Sequence, residues 1–335
     1  MTLKGRRNIL VALAFVFAIL AVPLPIASAV DQGQSVGQAL EIAPPVLNIK
    51  ANPGDVVKST ISLRDVSTSP LVVRNQINDF VAAGEDGTPK LLLDEEAAEP
   101  SPYSLKEWIQ PLPQFTLQPR EVNQLPVTIR VPANAAPGGY YAVVRFTASP
   151  PGIDGSGVSL SASLGTLILL RVNGDAKEDV KIEEFAATKN GSKKSLFESA
   201  PITFLTRIKN NGSSHEQPSG QITIKDMFGN ATANVNVNLA QNNILPASIR
   251  KFEQPLDSTV IGNKILFGRY TADLKMSYGT QGQTITASTS FWVIPYRLVG
   301  FALLLILIVI VVIRIALKRY TERVVERSRG RRRRR

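Results

Sequence analysis

The chain has no cysteine and a single histidine, His215, and these two scarcities exclude more chemistry than any motif in the sequence supplies. Without cysteine there is no Cys-His nucleophile pair, no Cys-based zinc set and no disulfide framework, so each domain has to be held by an ordinary hydrophobic core. With one histidine, a catalytic triad could be built only around His215. That residue lies in a polar stretch, Gly212 to Gly220, that reads as a solvated turn, and no serine sits in a nucleophile-elbow context. No phosphate-cradling glycine loop occurs, and long helical periodicity is missing from Leu40 to Ile294. We expect a non-catalytic protein without cofactor or metal.

Basic residues are not scarce overall, but they are nearly confined to the ends. The formal net charge is +11, yet of 38 Lys and Arg, 3 lie in residues 1–29, 2 are Arg297 and Arg314, and 10 lie in residues 318–335. The 23 that remain in residues 30–296 face 25 acidic residues, a net of −2. A body this close to neutral offers no long-range field for phosphate polymers, so no nucleic-acid partner is expected.

The ends then read as membrane signals. Lys4, Arg6 and Arg7, the apolar stretch Ile9 to Val22 and the triplet Ala27-Ser28-Ala29 have the three parts of a cleavable signal peptide, residues 1–29. Leu298 to Ile313 is unbroken apolar sequence, and residues 295–317 supply the roughly 20 positions that a helix needs to cross a bilayer if Arg314 snorkels to the headgroups. A buried core helix would need a polar face and a globular segment after it, and neither is present. The tail 318–335, which opens on Lys318 and Arg319, carries ten basic residues against Glu322 and Glu326 and predicts a cytoplasmic C-terminus below an extracellular ectodomain. Trp292 and Tyr296 are expected at headgroup level. Only Ile294 to Arg297 separates the last strand from the span, so the domain before it sits against the membrane.

Between these signals the pattern is all-β. Val57, Ser59, Ile61 and Leu63 share a face after the turn Asn52 to Asp55, and Leu125, Val127, Ile129 and Val131 alternate ahead of Tyr140, Ala142, Val144 and Phe146. Leu164 to Val172 is apolar enough to be covered on both faces. Ala82 to Pro113 reads as an insertion with a helical turn at Ser104 to Ile109, capped by Ser104 with Glu107 as its partner. Asp94, Glu95, Glu96 and Glu99, with Glu85-Asp86-Gly87 before them, form an acidic loop whose spacing fits no EF-hand.

A boundary falls at Asn173-Gly174-Asp175. Beyond it Ile202, Phe204, Thr206 and Ile208 line one face, as do Tyr270 to Tyr278 and Ile285 to Val293 at alternate positions. Val235, Val237 and Leu239 point inward while Asn234, Asn236 and Asn238 go to water. The sequons at Asn190, Asn211 and Asn230 fall where turns are needed. The pattern predicts two immunoglobulin-like β-sandwiches, residues 30–174 and 175–294, followed by a single transmembrane α-helix. Trp108 and Tyr141 are the candidate ligand-binding aromatics. Tyr140 is assigned to the core and Tyr141, on the opposite face, to a free surface.

The order of Leu40-Glu41-Ile42-Ala43-Pro44-Pro45, Pro53-Gly54-Asp55, the Trp108 segment, Val131-Pro132 with Pro137-Gly138-Gly139-Tyr140-Tyr141, Phe267-Gly268 with Tyr270, and Phe291 to Pro295 running into the anchor resembles the WxL-interacting cell-surface proteins of Gram-positive bacteria. That resemblance implies a peptidoglycan-binding first domain, a second immunoglobulin-like domain and a membrane anchor. The expected partner is a cell-wall polymer or a wall-associated surface protein. A second expectation, from another class, is an assembly factor that pairs an edge strand with a subunit of a surface polymer.

Overall fold

The computed structural model describes residues 40–93, 101–151, 163–262 and 264–332, with side chains to residue 318. The acidic run from Asp94 to Glu99 and the signal-peptide segment lie outside the described residues.

Nine strands form the first sandwich: β1 (Leu40–Ala43), β2 (Val46–Ala51), β3 (Val56–Asp65), β4 (Leu71–Ala82), β5 (Pro89–Leu92), β6 (Phe115–Leu117), β7 (Val122–Arg130), β8 (Gly138–Ser149) and β9 (Ser163–Val172). One sheet has the order β1-β3-β7, and the other β2-β9-β8-β4-β5 with β6 beside β4. Pro44 and Pro45, which lack N–H groups, end the pairing of β1 with β3. The chain crosses there to the other sheet, where β2 runs parallel to β9 from Val46 opposite Leu167 to Ala51 opposite Val172. Ile61, Leu63, Val127, Ile129, Ala142, Val144, Phe146, Ile168 and Leu170 fill the core between the sheets, so the alternation seen in β3 and β7 is that of half-buried strands, whereas β8 is covered on both faces along most of its length.

The second sandwich is built from β10 (Val180–Lys189), β11 (Ser192–Lys193), β12 (Leu196–Phe197), β13 (Ile202–Asn210), β14 (Ser219–Lys225), β15 (Ala231–Val237), β16 (Ile249–Leu256), β17 (Gly268–Tyr278) and β18 (Gln283–Val293), with one helical turn, α1 (Ser258–Ile261). Its sheets are β11-β10-β13-β16 and β12-β18-β17-β14-β15. Phe204 and Phe291, with ring centroids 5.8 Å apart, stand at the centre of a core that also takes Ile202, Ile208, Ile222, Leu274 and Val293. The protein is therefore mostly β, two immunoglobulin-like sandwiches with one long C-terminal helix.

That helix, α2 (Tyr296–Arg332), follows β18 after Ile294 and Pro295. Its stretch Tyr296–Lys318 holds 23 residues, the most apolar 18 of them at a mean hydropathy of 3.2, and among the described residues none covers it. At 1.5 Å per residue this is about 34 Å, enough for a hydrocarbon core of about 30 Å.

A 3-10 turn forms at Lys106–Trp108 with Leu105 at its N-cap position. The Ser104 oxygen accepts from the Lys106 amide at 3.3 Å, as a cap does, while its hydroxyl donates to the buried Asp79 Oδ1 at 2.7 Å. Local expectations failed where side chains compete with the regular pattern. In β15 the inward alternation stops at Val237, and Leu239 is 79% exposed. Asn238 is buried rather than solvated. With φ at 54° it turns the chain and donates from Nδ2 to the carbonyls of Pro218 and Asn242. Asparagine tolerates that left-handed conformation, which leucine and valine do not.

Thr206, at the middle of β13, is fully buried, and among the described residues its hydroxyl has no partner. Replacing it by the isosteric valine, Thr206→Val, removes an uncompensated polar group from the second core. Urea unfolding of the detergent-solubilised protein is expected to show a gain of about 1 kcal/mol with an unchanged denaturant slope.

Candidate functional site

The described residues concentrate buried polar chemistry at the junction of the two sandwiches. On β9, Ile168 and Leu170 enter the first core, so Leu167, Leu169 and Arg171 point to the opposite face of the sheet. There Leu169 packs with Phe80, Tyr141 and Val143, and Leu245 from the β15–β16 connection closes over them. Arg171 lies between Glu178, in the link between the sandwiches, and Glu216, in the β13–β14 connection; Nη2 bonds Glu178 Oε1, and Nη1 stands 3.4 Å from Glu216 Oε1. Glu178 also accepts from the Thr280 amide and hydroxyl, each near 3.0 Å, and Glu216 accepts from the Gly279 amide at 3.1 Å. One arginine thus ties β9, the link, the β13–β14 connection and the β17–β18 turn.

Tyr141 stands beside this cluster, only 3% exposed, with Oη 3.3 Å from His215 Nδ1. The expectation of a free Tyr141 is overturned: the face opposite Tyr140 is not solvent but the contact with the second sandwich. His215 is likewise no solvated turn residue. Burial, with the charges of Arg171 and Lys50, pulls its pKa down to about 4, so the ring is neutral, and its tautomer sets which of Nδ1 and the tyrosine hydroxyl donates. Burial also holds the Glu216 carboxyl above the usual range and the Tyr141 phenol above its own. Gly139 makes the arrangement possible, since a Cβ there would collide with the Tyr141 hydroxyl. The Gly139 amide, moreover, donates to Ser213 O at 2.8 Å. The Gly-Gly-Tyr-Tyr run is the sequence signal of this junction, and periodicity alone could not expose it.

A second tie crosses from the β4–β5 turn. Glu85 pairs with Arg207 of β13 through both carboxylate oxygens, and its carbonyl accepts from the Lys251 amide at 2.6 Å. Asp86 turns its own chain through Thr88, so neither acidic residue behaves as a cation ligand. Between the two ties lies a cleft of about 310 Å³, bordered by Val46 and Asn48 of β2, Phe80, Leu167 and Leu169 of the first sandwich, and Asn243, Leu245 and Arg250 of the second. Arg250 is partly desolvated, which lowers its pKa from the ordinary arginine value. Its Nη1 donates to Asn243 O at 2.8 Å, and the Asn243 Oδ1 is buried with no partner among the described residues.

β2 is an edge. It pairs with β9 alone among the described strands. Because Pro45 O and Ala51 O accept from β9-side amides, the alternation along the strand turns the N–H and C=O groups of Val46, Asn48 and Lys50 outward. The remaining candidates lie elsewhere. Trp108 is half-buried and packs on Tyr140, on the face of β8 opposite Tyr141, with ring centroids 4.2 Å apart. Trp292 and Tyr296 are 46% and 55% exposed at the end of β18 and the start of α2; Arg314 and Lys318 are exposed on α2, and the Arg319 side chain lies outside the described residues.

No protein-family model and no curated protein matches the sequence. Among solved structures, the chain is similar to a class 5 fimbriae chaperone, CfaA, at 15% identity and a TM-score of 0.37, over 75% of this chain and 98% of that one. It is similar also to the E. coli chaperone DraB, at 15% identity and 0.32 over 76% and 96%. A third is a Salmonella enterica SafA pilin in complex with the SafB chaperone, at 11% identity and 0.34 over 76% and 96%. At such identities and scores the likeness says nothing of a partner or an activity.

Removing the arginine from the hub leaves two carboxylates without their cation. Arg171→Met is expected to lower stability by about 3–5 kcal/mol at neutral pH, read as a fall in the thermal midpoint. Acid acts through His215. Its folded pKa near 4 lies below the unfolded value near 6.5, so the unfolded chain binds the proton first. Stability is full above pH 6.5 and is lost as pH falls toward 4, by about 3 kcal/mol over that window. Glu216, with its pKa raised, acts in the opposite sense and blunts the loss. In His215→Gln the decline between pH 6.5 and 4 should flatten when denaturant midpoints are measured across that range.

Proposed function

We propose that this is a non-catalytic, membrane-anchored binding protein that takes an extended segment of another surface protein by strand addition at β2. The observation that carries the reading is the free β2 edge alongside the inter-sandwich cleft. An added strand would bond to the outward groups of Val46, Asn48 and Lys50. Its side chains would meet the apolar floor of Phe80, Leu167 and Leu169, and its carbonyls would meet the desolvated guanidinium of Arg250. Such a partner fits assembly of a surface polymer. The excess of basic residues after the span supports a cytoplasmic C-terminus and an extracellular pair of sandwiches.

The wall-polymer reading and membership of the WxL-interacting family rest on a resemblance that no family match supports. Of the two aromatics offered for polymer stacking, Tyr141 is enclosed by the second sandwich and Trp108 already stacks on Tyr140. Strand addition is the reading with a prepared surface.

Asn48→Pro separates the two. Proline there removes an outward N–H while leaving the bonds of β2 to β9 in place, as proline does on solvent-facing edges. A photo-crosslinking residue at Val46, in cells that naturally carry the protein, is expected to yield one polypeptide adduct that falls at least tenfold on adding Asn48→Pro. An adduct indifferent to the proline, or co-sedimentation of the protein with purified wall polymer alone, would return the wall reading to first place.

A further inference from the structure

The structure assigns a lipid-contacting surface to the end of the second sandwich from which α2 emerges: two loop tips, Met227-Phe228 and Ile265 with Phe267, that dip into the interfacial layer of the bilayer. The proposal rests on the reading of α2 as a membrane span.

The exposed bulk of the second sandwich is not scattered. Phe228 and Ile265 are each 81% exposed, Phe267 60% and Met227 50%. They come from two connections far apart in sequence, yet the strand register brings them to one level. Lys225 pairs with Thr271, so the β14–β15 turn projects past the start of β17 at Gly268. The Met227 side chain lies where a Cβ on Gly268 would stand, and Gly268 is opposite Val293, the last residue of β18. Trp292 and its parallel neighbour Leu196, 46% and 52% exposed, extend the same end. Only Leu239 among the strongly exposed apolar residues of this sandwich lies at the opposite end.

Water is a poor environment for such a group, and the chain supplies the alternative two residues further on. Ile294 and Pro295 alone separate Val293 from α2, and Arg297 in its first turn stands 3.4 Å from Glu198, just after β12. The helix that enters the bilayer is thus tied to the end that carries Phe228, Ile265 and Phe267. Lys264, next to Ile265, and Arg269, opposite Trp292, bring cations to the level of anionic headgroups. Asp226, the nearby carboxylate, accepts from the amides of Phe228 and Asn230 and shapes the turn behind its tip. Exposed Phe, Ile, Met and Trp beside basic residues are the composition of interfacially buried segments, which sink roughly 5–10 Å into the headgroup and acyl boundary.

The absence of cysteine makes the test clean. Nitroxide labels are placed singly at Phe228→Cys, Ile265→Cys, Leu239→Cys and Leu307→Cys in the full chain, reconstituted into phosphatidylglycerol–phosphatidylethanolamine vesicles, and read by power saturation with oxygen and a nickel chelate. All four side chains are exposed, so the substitutions disturb no core. The labels at 228 and 265 are expected to show an oxygen-to-nickel collision ratio several-fold above that at 239, with 307 highest. Ratios at 228 and 265 equal to that at 239, with 307 still shielded from nickel, would overturn the contact and leave the span standing. An aqueous reading at 307 as well would remove the span and the contact together.

Discussion

Strand β9 is apolar on both faces, and much of the structure follows from having to cover both. Ile168, Leu170 and Val172 are satisfied by the first core. Leu167 and Leu169, with Tyr141 and Val143 of β8 and Phe80 of β4, would otherwise form an open hydrophobic sheet face of the kind that aggregates. The connecting loops of the second sandwich supply the cover. The buried apolar contact is small, however, and hydrophobic contact alone does not fix an angle. Direction comes from Arg171 between Glu178 and Glu216, and from Glu85 with Arg207, bonds whose geometry is demanding. The junction is therefore a braced contact with a seven-residue link, residues 173–179, itself hydrogen-bonded through Lys177 and Asp179 to the β13–β14 connection.

The same constraint explains the position of the cleft. The cover is complete over Tyr141 and Leu169, where His215 and Leu245 press down, and incomplete toward β2 and the β4–β5 turn. What is left open there is the remainder of the apolar face, rimmed by a desolvated Arg250 and an unpartnered amide oxygen of Asn243. A buried polar group without a partner costs stability, and beside an open cleft a ligand could satisfy it. Structural bracing and the proposed binding surface are thus two parts of one sheet face. A partner lying along β2 would touch both sandwiches at the angle the arginine hub sets.

The strands and the long C-terminal helix were legible in the sequence because their causes are local. Alternation in β3, β7, β13, β17 and β18 records a strand with one face in a core, and the run from Leu298 records a helix long and apolar enough to cross a membrane. The junction was not legible because its causes are contacts between segments 74 residues apart, as with Tyr141 and His215. A period of two tells that Tyr140 and Tyr141 point to opposite faces, but not what lies on the second face. Asn238 and Leu239 failed for a related reason: a pair of carbonyls elsewhere in the fold outbid the local pattern. Sequence did contain one clue, the paired glycines before Tyr140, whose need for close approach becomes clear only with Ser213 in view.

The two ends of the second sandwich argue for the same orientation from composition alone. Connections at the junction end, 211–218, 238–248 and 279–282, are rich in Asn, Ser, Gln and Gly with His215 and Glu216, groups suited to hydrogen-bonding another protein surface, and add Leu245 against the apolar face. Those at the other end, 226–230 and 262–267, hold Met227, Phe228, Ile265 and Phe267. Each set gives one residue to the core, Ile244 and Leu266, while the tips Met227, Phe228, Ile265 and Phe267 remain outside it. Loop tips outside the core are free to match what they meet, and these tips differ as a protein neighbour differs from the proposed lipid contact. The near-neutral charge of the body fits this division: specificity at one end comes from a few enclosed ion pairs and attachment at the other from apolar surface, so no long-range field is needed at either.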